Sequence, residues 1–218
     1  MPELPDLEVV KEFLSRALVG ETVAQAQIRR PIVVRDLTGA SAGANLPGRD
    51  VREVGRWGKY LWLDLGPALW LVINPKLTGR LAWRDAADPP QAHVAFVLSF
   101  SSGRELRYLD SKDMGQVYIT KALAEVPGFA GQGPDALDPS LTAQVFAERL
   151  RPFRGEIKGV LVRQEAVAGV GNAYADEILF RAGISPFRKR PSLSASEVDC
   201  LYGAMREVLQ EAVVTLRK

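Results

Sequence analysis

The 218-residue chain holds one cysteine, Cys200, and one histidine, His93. A lone cysteine excludes an internal disulfide and any multi-cysteine zinc site, and it suits a reducing cytosol. A lone histidine, beginning an apolar run, supports neither a metal centre nor a Ser-His-Asp triad. Long apolar runs are missing as well. The longest, 68–73, is far too short to span a bilayer. The N-terminus has no basic stretch followed by an apolar one, so no signal peptide is expected. What remains is the expectation of a cytoplasmic protein with no membrane partner, acting as a monomer.

An excess of one charge is also missing. Lys and Arg number 28 against 26 Asp and Glu, a net charge of +2, which by itself points to no polyanion. The distribution is less even. Arg29, Arg30 and Arg35 fall together, as do Arg149, Arg151, Arg154, Lys158 and Arg163, and then Arg188, Lys189 and Arg190. Such clusters make either a phosphate-facing stripe or ordinary solvated faces. With 47% hydrophobic residues the chain can bury the core of one large domain or two modest ones.

The patterning divides the chain. Leu4, Leu7, Val10, Leu14 and Leu18 recur at helical spacing, with Pro5 suited to a first turn and Gly20 to an end. From 22 to 120 the pattern becomes short β-type runs, among them 60–65, 69–73, 94–100, 105–109 and 116–119. Turn formers such as Leu46-Pro47-Gly48, Asp88-Pro89-Pro90 and Ser101-Ser102-Gly103 separate them. Many strands beneath one helix predict a two-layered β-sandwich. Gly, Pro and Asp crowd 128–139, which reads as a linker. Helical stripes follow: Leu141, Val145, Phe146 and Leu150, then a helix over 155–164, then one capped by Asn172 and closed by Gly183. Ser194 and Glu197 form a capping box for a last helix buried through Val198, Leu201, Met205, Val208, Leu209 and Ala212. The fold class is therefore α+β: residues 1–127 as helix plus sandwich, 128–139 as linker and 140–218 as a helical domain.

Chemistry concentrates at the start, Met1-Pro2-Glu3-Leu4-Pro5-Asp6-Leu7-Glu8. Removal of Met1, expected before a small residue, frees the secondary amine of Pro2. An α-amino group has a pKa of about 8, so a useful fraction is uncharged near neutrality. Such an amine can attack a sugar anomeric carbon and form an iminium, with Glu3 beside it to move protons. Taken alone, the same residues also serve as a simple lead-in to a helix.

A second segment, Gly169-Val170-Gly171-Asn172-Ala173-Tyr174-Ala175-Asp176-Glu177, changes that balance. With the N-terminus, Gly58-Lys59-Tyr60-Leu61, Leu106-Arg107-Tyr108-Leu109-Asp110, Gly133-Pro134-Asp135-Ala136-Leu137 and Gly183-Ile184-Ser185-Pro186, it closely resembles the formamidopyrimidine-DNA glycosylase and endonuclease VIII family of base-excision repair enzymes. The resemblance implies a DNA glycosylase with abasic-site lyase activity on oxidised bases, and names the second half a helix–two-turns–helix domain. The implied partner is double-stranded DNA carrying oxidised bases or abasic sites. By the same resemblance Pro2 attacks C1′, Glu3 handles protons at the opening ring, and β- then δ-elimination cuts the strand. Oxidised purines and pyrimidines both stay open, with Pro2-Glu3-Leu4-Pro5 leaning towards purines.

Other roles follow from position. The resemblance puts Lys59 on a phosphate beside the lesion, where a strand-edge lysine is the plainer alternative. Asn172 and Lys158 are expected at DNA phosphates around a helix N-terminus, with simple capping the alternative for Asn172. Leu77, Lys112 and Met114 stand where the family offers a Met, an Arg and a Phe to fill the gap left by a flipped nucleotide. Lys112 cannot copy arginine's planar bidentate bonding, and Asp113 adds a negative charge beside it. A turn residue and a core side chain are the alternatives for Lys112 and Met114. Asp6 stands where the family commonly has Glu. No metal ligands and no cofactor are expected in this chain. A structural zinc belongs only to a C-terminal finger beyond Lys218, which family members usually carry. Without that finger the expected alternative is a damaged-DNA binding module with weak or no base excision.

Overall fold

The computed structural model describes residues 1–41 and 43–218. Helix α1 (Leu4–Leu18) buries Leu4, Leu7, Leu14 and Leu18, as its spacing predicts. Asp6 reaches back to accept from the Glu3 N–H at 2.9 Å, the reciprocal half of a capping box. The shorter carboxylate is thus sufficient for this turn. Gly20, with φ at +91°, ends the helix, and its N–H donates to Val51 O at 2.9 Å.

Nine strands follow among the described residues: β1 (Val23–Ile28), β2 (Val34–Asp36), β3 (Glu53–Trp57), β4 (Tyr60–Asp64), β5 (Trp70–Asn74), β6 (Gly79–Asp85), β7 (Val94–Phe100), β8 (Arg104–Asp110) and β9 (Gln116–Thr120). They form one sheet in the order β1-β7-β8-β6 and another in the order β2-β9-β5-β4-β3, the two layers of a sandwich. Strand β2 runs parallel to β9, whereas β1 with β7, β4 with β5, β5 with β9, β6 with β8 and β7 with β8 are antiparallel. In the second sheet Leu61, Leu63, Leu71, Ile73, Val117 and Ile119 share one buried face. The opposite face carries Tyr60, Val72 and Tyr118, packed against Val126. The apolar runs of the sequence become β4, β5, β7, β8 and β9, each within a residue or so. Strands β1, β3 and β6 lie at sheet edges, where polar residues blur the alternation. Arg107, nearly fully buried, contacts Glu105 at 2.7 Å and donates to the Pro89 and Asp88 carbonyls at 3.0 and 3.1 Å, so its charge holds the Asp88-Pro89-Pro90 loop.

The helical part comprises α2 (Ala143–Leu150), α3 (Ile157–Leu161), α4 (Asn172–Arg181) and α5 (Ala195–Leu216). Thr142 caps α2 by accepting from Val145 N–H, and Ser194 with Glu197 forms the expected capping box on α5. Phe146, Leu150, Ile157, Leu161, Ile178, Leu201, Met205 and Leu209 join one core, which also takes in Leu4. Helix α3 is shorter than the 155–164 read from sequence. Gly183, with φ at +66°, closes α4 as expected.

The chain divides into two compact units. The first contains Met1–Pro2, Val10–Arg56 and Tyr60–Ala130; the second contains Glu3–Val9, Trp57–Lys59 and Gly131–Lys218. Two short early segments, one bearing Glu3 and the other Lys59, therefore belong with the helices. Among the described residues no helix is long and apolar enough to cross a membrane.

Candidate active site

Helix α4 begins one residue earlier than its sequence suggests, and the shift reorganises the site. Gly171 takes the N-cap position and has no side chain with which to cap, so Asn172 is the first helical residue and is exposed. The cap comes instead from Glu3, 168 residues earlier. Its carboxylate accepts from Gly171 N–H at 2.7 Å, Ala173 N–H at 3.1 Å and Tyr174 N–H at 3.4 Å. This corrects the expectation that Asn172 caps the helix. The positive end of the helix dipole and its unpaired amides favour an acidic group at that point. Asp6 has already served the start of α1, which leaves the Glu3 side chain for α4.

Close approach is the second feature. A Cβ on Gly171 would overlap Glu3 Cδ and lie 2.6 Å from Lys59 Nζ. Carboxylate and ammonium thus face the same glycine, which must lack a side chain to admit both. Gly169, with φ at +103°, meets Leu4 as closely, and its carbonyl accepts from Leu4 N–H at 3.1 Å. The loop before α4 and the start of α1 are therefore packed backbone against backbone. Pro2 immediately precedes Glu3 and is half-buried.

Lys59 lies in the two-residue turn joining β3 to β4, just ahead of the strand the sequence placed it on. Its neighbour Gly58 has φ at +56° and donates its N–H to Asp135 Oδ2 at 2.9 Å. Lys158 stands on α3 and pairs with Asp176 of α4 at 2.8 Å, both groups partly exposed. Tyr174, on the first turn of α4, has its phenol pushed up by burial first, with Asp6, Glu3 and Glu177 adding to it.

The first unit holds Leu77, Lys112 and Met114, all exposed. Met114 is therefore a projecting side chain, and its reading as core is set aside. Leu77 follows β5, while Lys112 and Met114 follow β8, and one carboxylate ties the two loops. Asp110, fully buried, accepts from the Thr78 hydroxyl of one loop, and from the Gly115 N–H at 2.6 Å and the Lys112 N–H at 3.2 Å of the other. Asp113 is neutralised by Arg30, whose Nη1 lies 2.6 and 2.7 Å from its two oxygens. Sequence reasoning singled out the segments holding Asp110 and Asp135 but gave neither residue a task.

Many cluster arginines prove to be structural. Arg149 donates to the Glu165 and Ala166 carbonyls, Arg188 pairs with Glu197, and Arg190 reaches Ala147 O. They hold helix ends and loops, so these members of the basic clusters serve the fold. Among the described residues no three His, Cys, Asp or Glu side chains converge as metal ligands, and Cys200 is a free, exposed thiol.

Comparison with known proteins gives the context for this arrangement. Residues 1–117 match the formamidopyrimidine-DNA glycosylase N-terminal domain, and residues 132–217 match the formamidopyrimidine-DNA glycosylase H2TH domain. The formamidopyrimidine-DNA glycosylase of Moorella thermoacetica is 39% identical over 216 residues, covering 98% of this chain and 78% of the relative. That of Symbiobacterium thermophilum is also 39% identical, over 98% of this chain and 70% of the relative. The crystal structure of the MutM (Fpg) protein of Thermus thermophilus superposes with a TM-score of 0.87 at 35% identity, over 98% of this chain and 76% of that one. A Lactococcus lactis enzyme bound non-covalently to DNA containing an abasic site superposes with a TM-score of 0.88 at 27% identity, over 97% and 82%. With both domain types matched in order and the fold shared along nearly its whole length, the chain belongs to the formamidopyrimidine-DNA glycosylase family.

Proposed function

We propose that this chain is a base-excision DNA glycosylase with abasic-site lyase activity, working on oxidised bases through an N-terminal proline. The observation that carries the reading is the Glu3 carboxylate. It is held by three backbone N–H groups at the mouth of α4, with the Lys59 ammonium at the same glycine, and it directly follows Pro2 in the chain. With Met1 removed, the Pro2 nitrogen attacks C1′, the N–C1′ bond forms and the bond to the base breaks, the base leaving with a proton. The sugar ring then opens at C1′–O4′, leaving a C1′ iminium; Glu3 takes the proton that the Pro2 nitrogen loses and passes it to O4′, while the base draws its proton from water. Loss of a C2′ proton expels the 3′-phosphate, and a second elimination expels the 5′-phosphate. On a pre-formed abasic aldehyde the same amine forms the iminium with release of water.

Lys59, Lys158 and Asn172 are assigned to DNA phosphates. Asn172, released from capping, offers its amide at the exposed start of α4. The Lys158–Asp176 pair is partly exposed, and such pairs are weak enough to yield to a phosphate. Leu77 and Met114 are assigned to the gap left by the flipped nucleotide, with Lys112 beside them. A damaged-DNA binding module with weak or no base excision is the second reading, favoured by Lys112 in place of a planar guanidinium. The Arg30–Asp113 pair limits the case for it, because it cancels the negative charge beside the wedge.

Borohydride trapping on a duplex with one abasic site tests the proposal. The Met1-processed chain should form a covalent adduct at residue 2, and blocking the N-terminal amine should abolish it. Equal trapping by the blocked protein would overturn the assignment of Pro2.

A further inference from the structure

We infer that Asp135 is a positioning residue for Lys59, and that it sets where the ammonium stands relative to Glu3; this rests on the function proposed above. Asp135 is almost fully buried, yet both carboxylate oxygens are used for backbone. Oδ2 accepts from Gly58 N–H at 2.9 Å, and Oδ1 accepts from Leu137 N–H at 3.1 Å. The first bond fixes the turn that carries Lys59. A Cβ on Gly58 would overlap Gln132 Oε1, so the turn is also sterically seated. Gly58 is thus left-handed, bonded through its N–H to Asp135, and closely flanked by Gln132 and Ala168.

The same segment is stitched to the loop that presents Glu3. Asp135 and Ala168 form a parallel bridge, with Ala136 N–H donating to Ala168 O at 3.0 Å and Ala168 N–H to Pro134 O at 2.9 Å. Three residues further on, Gly171 N–H holds the Glu3 carboxylate. From α5, Arg206 Nη1 donates to the carbonyls of Ala136 and Asp138 at 3.1 and 3.0 Å. One buried carboxylate therefore bonds the Lys59 turn on one side, while its backbone is laced to the Glu3 cradle on the other. A buried ionised group is costly unless fully hydrogen-bonded, and two backbone amides offset that cost while fixing geometry. A carboxylate is required because two N–H donors converge on it; an amide has one oxygen and must turn its NH2 towards one of them.

The test uses the full Met1-processed chain and an abasic duplex, comparing Lys59→Ala, Asp135→Asn and the double variant. Binding is followed by anisotropy across salt concentration, and trapping by borohydride. Asp135→Asn should bind about tenfold more weakly, the worth of one charge-assisted contact. It should lose about one unit of salt slope, as Lys59→Ala does. The double variant should be no weaker than Lys59→Ala alone, because both changes remove the same phosphate contact. A general loss of folding would instead lower affinity at unchanged slope and add to the lysine change, and either result overturns the inference. In the unaltered chain the Gly58 amide should exchange slowly with solvent; rapid exchange in an otherwise protected core would overturn it without any variant. Failure of the unaltered chain to trap would defeat the proposed chemistry, while the binding slopes would still judge Asp135.

Discussion

The mouth of α4 and the paired loops at Asp110 each hold a few side chains in place, by opposite means. At α4 the frame is backbone: three amides grip Glu3, and Gly171 has no space for a Cβ. At the loops the frame is one buried carboxylate, and the exposed side chains Leu77, Lys112 and Met114 project from it into solvent. Backbone cradles tolerate almost no substitution, since every atom is in contact. Projecting side chains can change identity without disturbing what holds them.

Gly171→Ala should break the contrast most sharply. The added methyl displaces the ends of two flexible side chains, so the fold should survive while the site does not. Misplacement of reacting groups by about 1 Å costs about 100-fold, and that loss is expected in single-turnover trapping. Loss of the helix cap should lower stability by only about 1–2 kcal/mol in thermal or urea unfolding. Trapping at the unaltered rate would show that the approach of Glu3 and Lys59 is incidental.

Asp110→Ala should do the reverse. It leaves the Thr78 hydroxyl and two amides without their acceptor in a buried place, for a cost of about 3 kcal/mol in urea unfolding. Burial works to raise the Asp110 carboxyl, but the Thr78 hydroxyl with the Gly115 and Lys112 amides outweigh it, and the group sits below its usual range. A depressed native value means the contribution is complete above the unfolded carboxylate range and is lost as pH falls through the native one. The gap in stability between the two proteins should therefore be constant near neutrality and narrow in acid. A gap independent of pH would remove the carboxylate from the explanation.

Leu77→Ala with Met114→Ala should be milder and selective. Filling a vacated stack matters for extracting a base, and less where the base is already lost. About a tenfold loss, roughly 1.4 kcal/mol, is expected in excision from a damaged-base duplex. Trapping on a pre-formed abasic site should change little. Equal losses on both duplexes would assign these side chains to general DNA binding.

How much of this was legible beforehand depends on sequence distance. The α1 stripe, the capping box of Ser194 and Glu197 and the apolar strands are local patterns, and each is found where its spacing predicts. The edge strands β1 and β6 were obscured because one face of each is polar. Asn172 shows the limit most plainly. An Asn before a helical run is the natural cap, and only the arrival of a carboxylate from position 3 moves the boundary by one residue. Asp135 and Asp110 act on partners 77 and 32 residues away, and no spacing rule reaches that far.

The smallest effect expected tests a surface contrast to both sites. Arg188 and Glu197 pair on the outside of the helical unit, and the same Glu197 closes the capping box of α5. The Arg188 hydrogen bond is the main cause, with the Ser194 N–H next, that lowers the Glu197 carboxyl from 4.5 to about 2. Because the native value lies below the unfolded one, any stability it supplies is fully present above about pH 4.5 and is lost as pH falls towards 2. Exposure and salt screen such a pair, so the melting difference between the unaltered chain and Arg188→Gln should be the smallest in the set. That difference should be flat above pH 5, shrink through the acid range and diminish further in high salt. A carbon-13 titration of the Glu197 carboxyl should find its midpoint near 2 and move it upward in Arg188→Gln. A midpoint already at the ordinary glutamate value in the unaltered chain would mean that Arg188 does not hold Glu197 in solution, and that the cap stands on Ser194 alone.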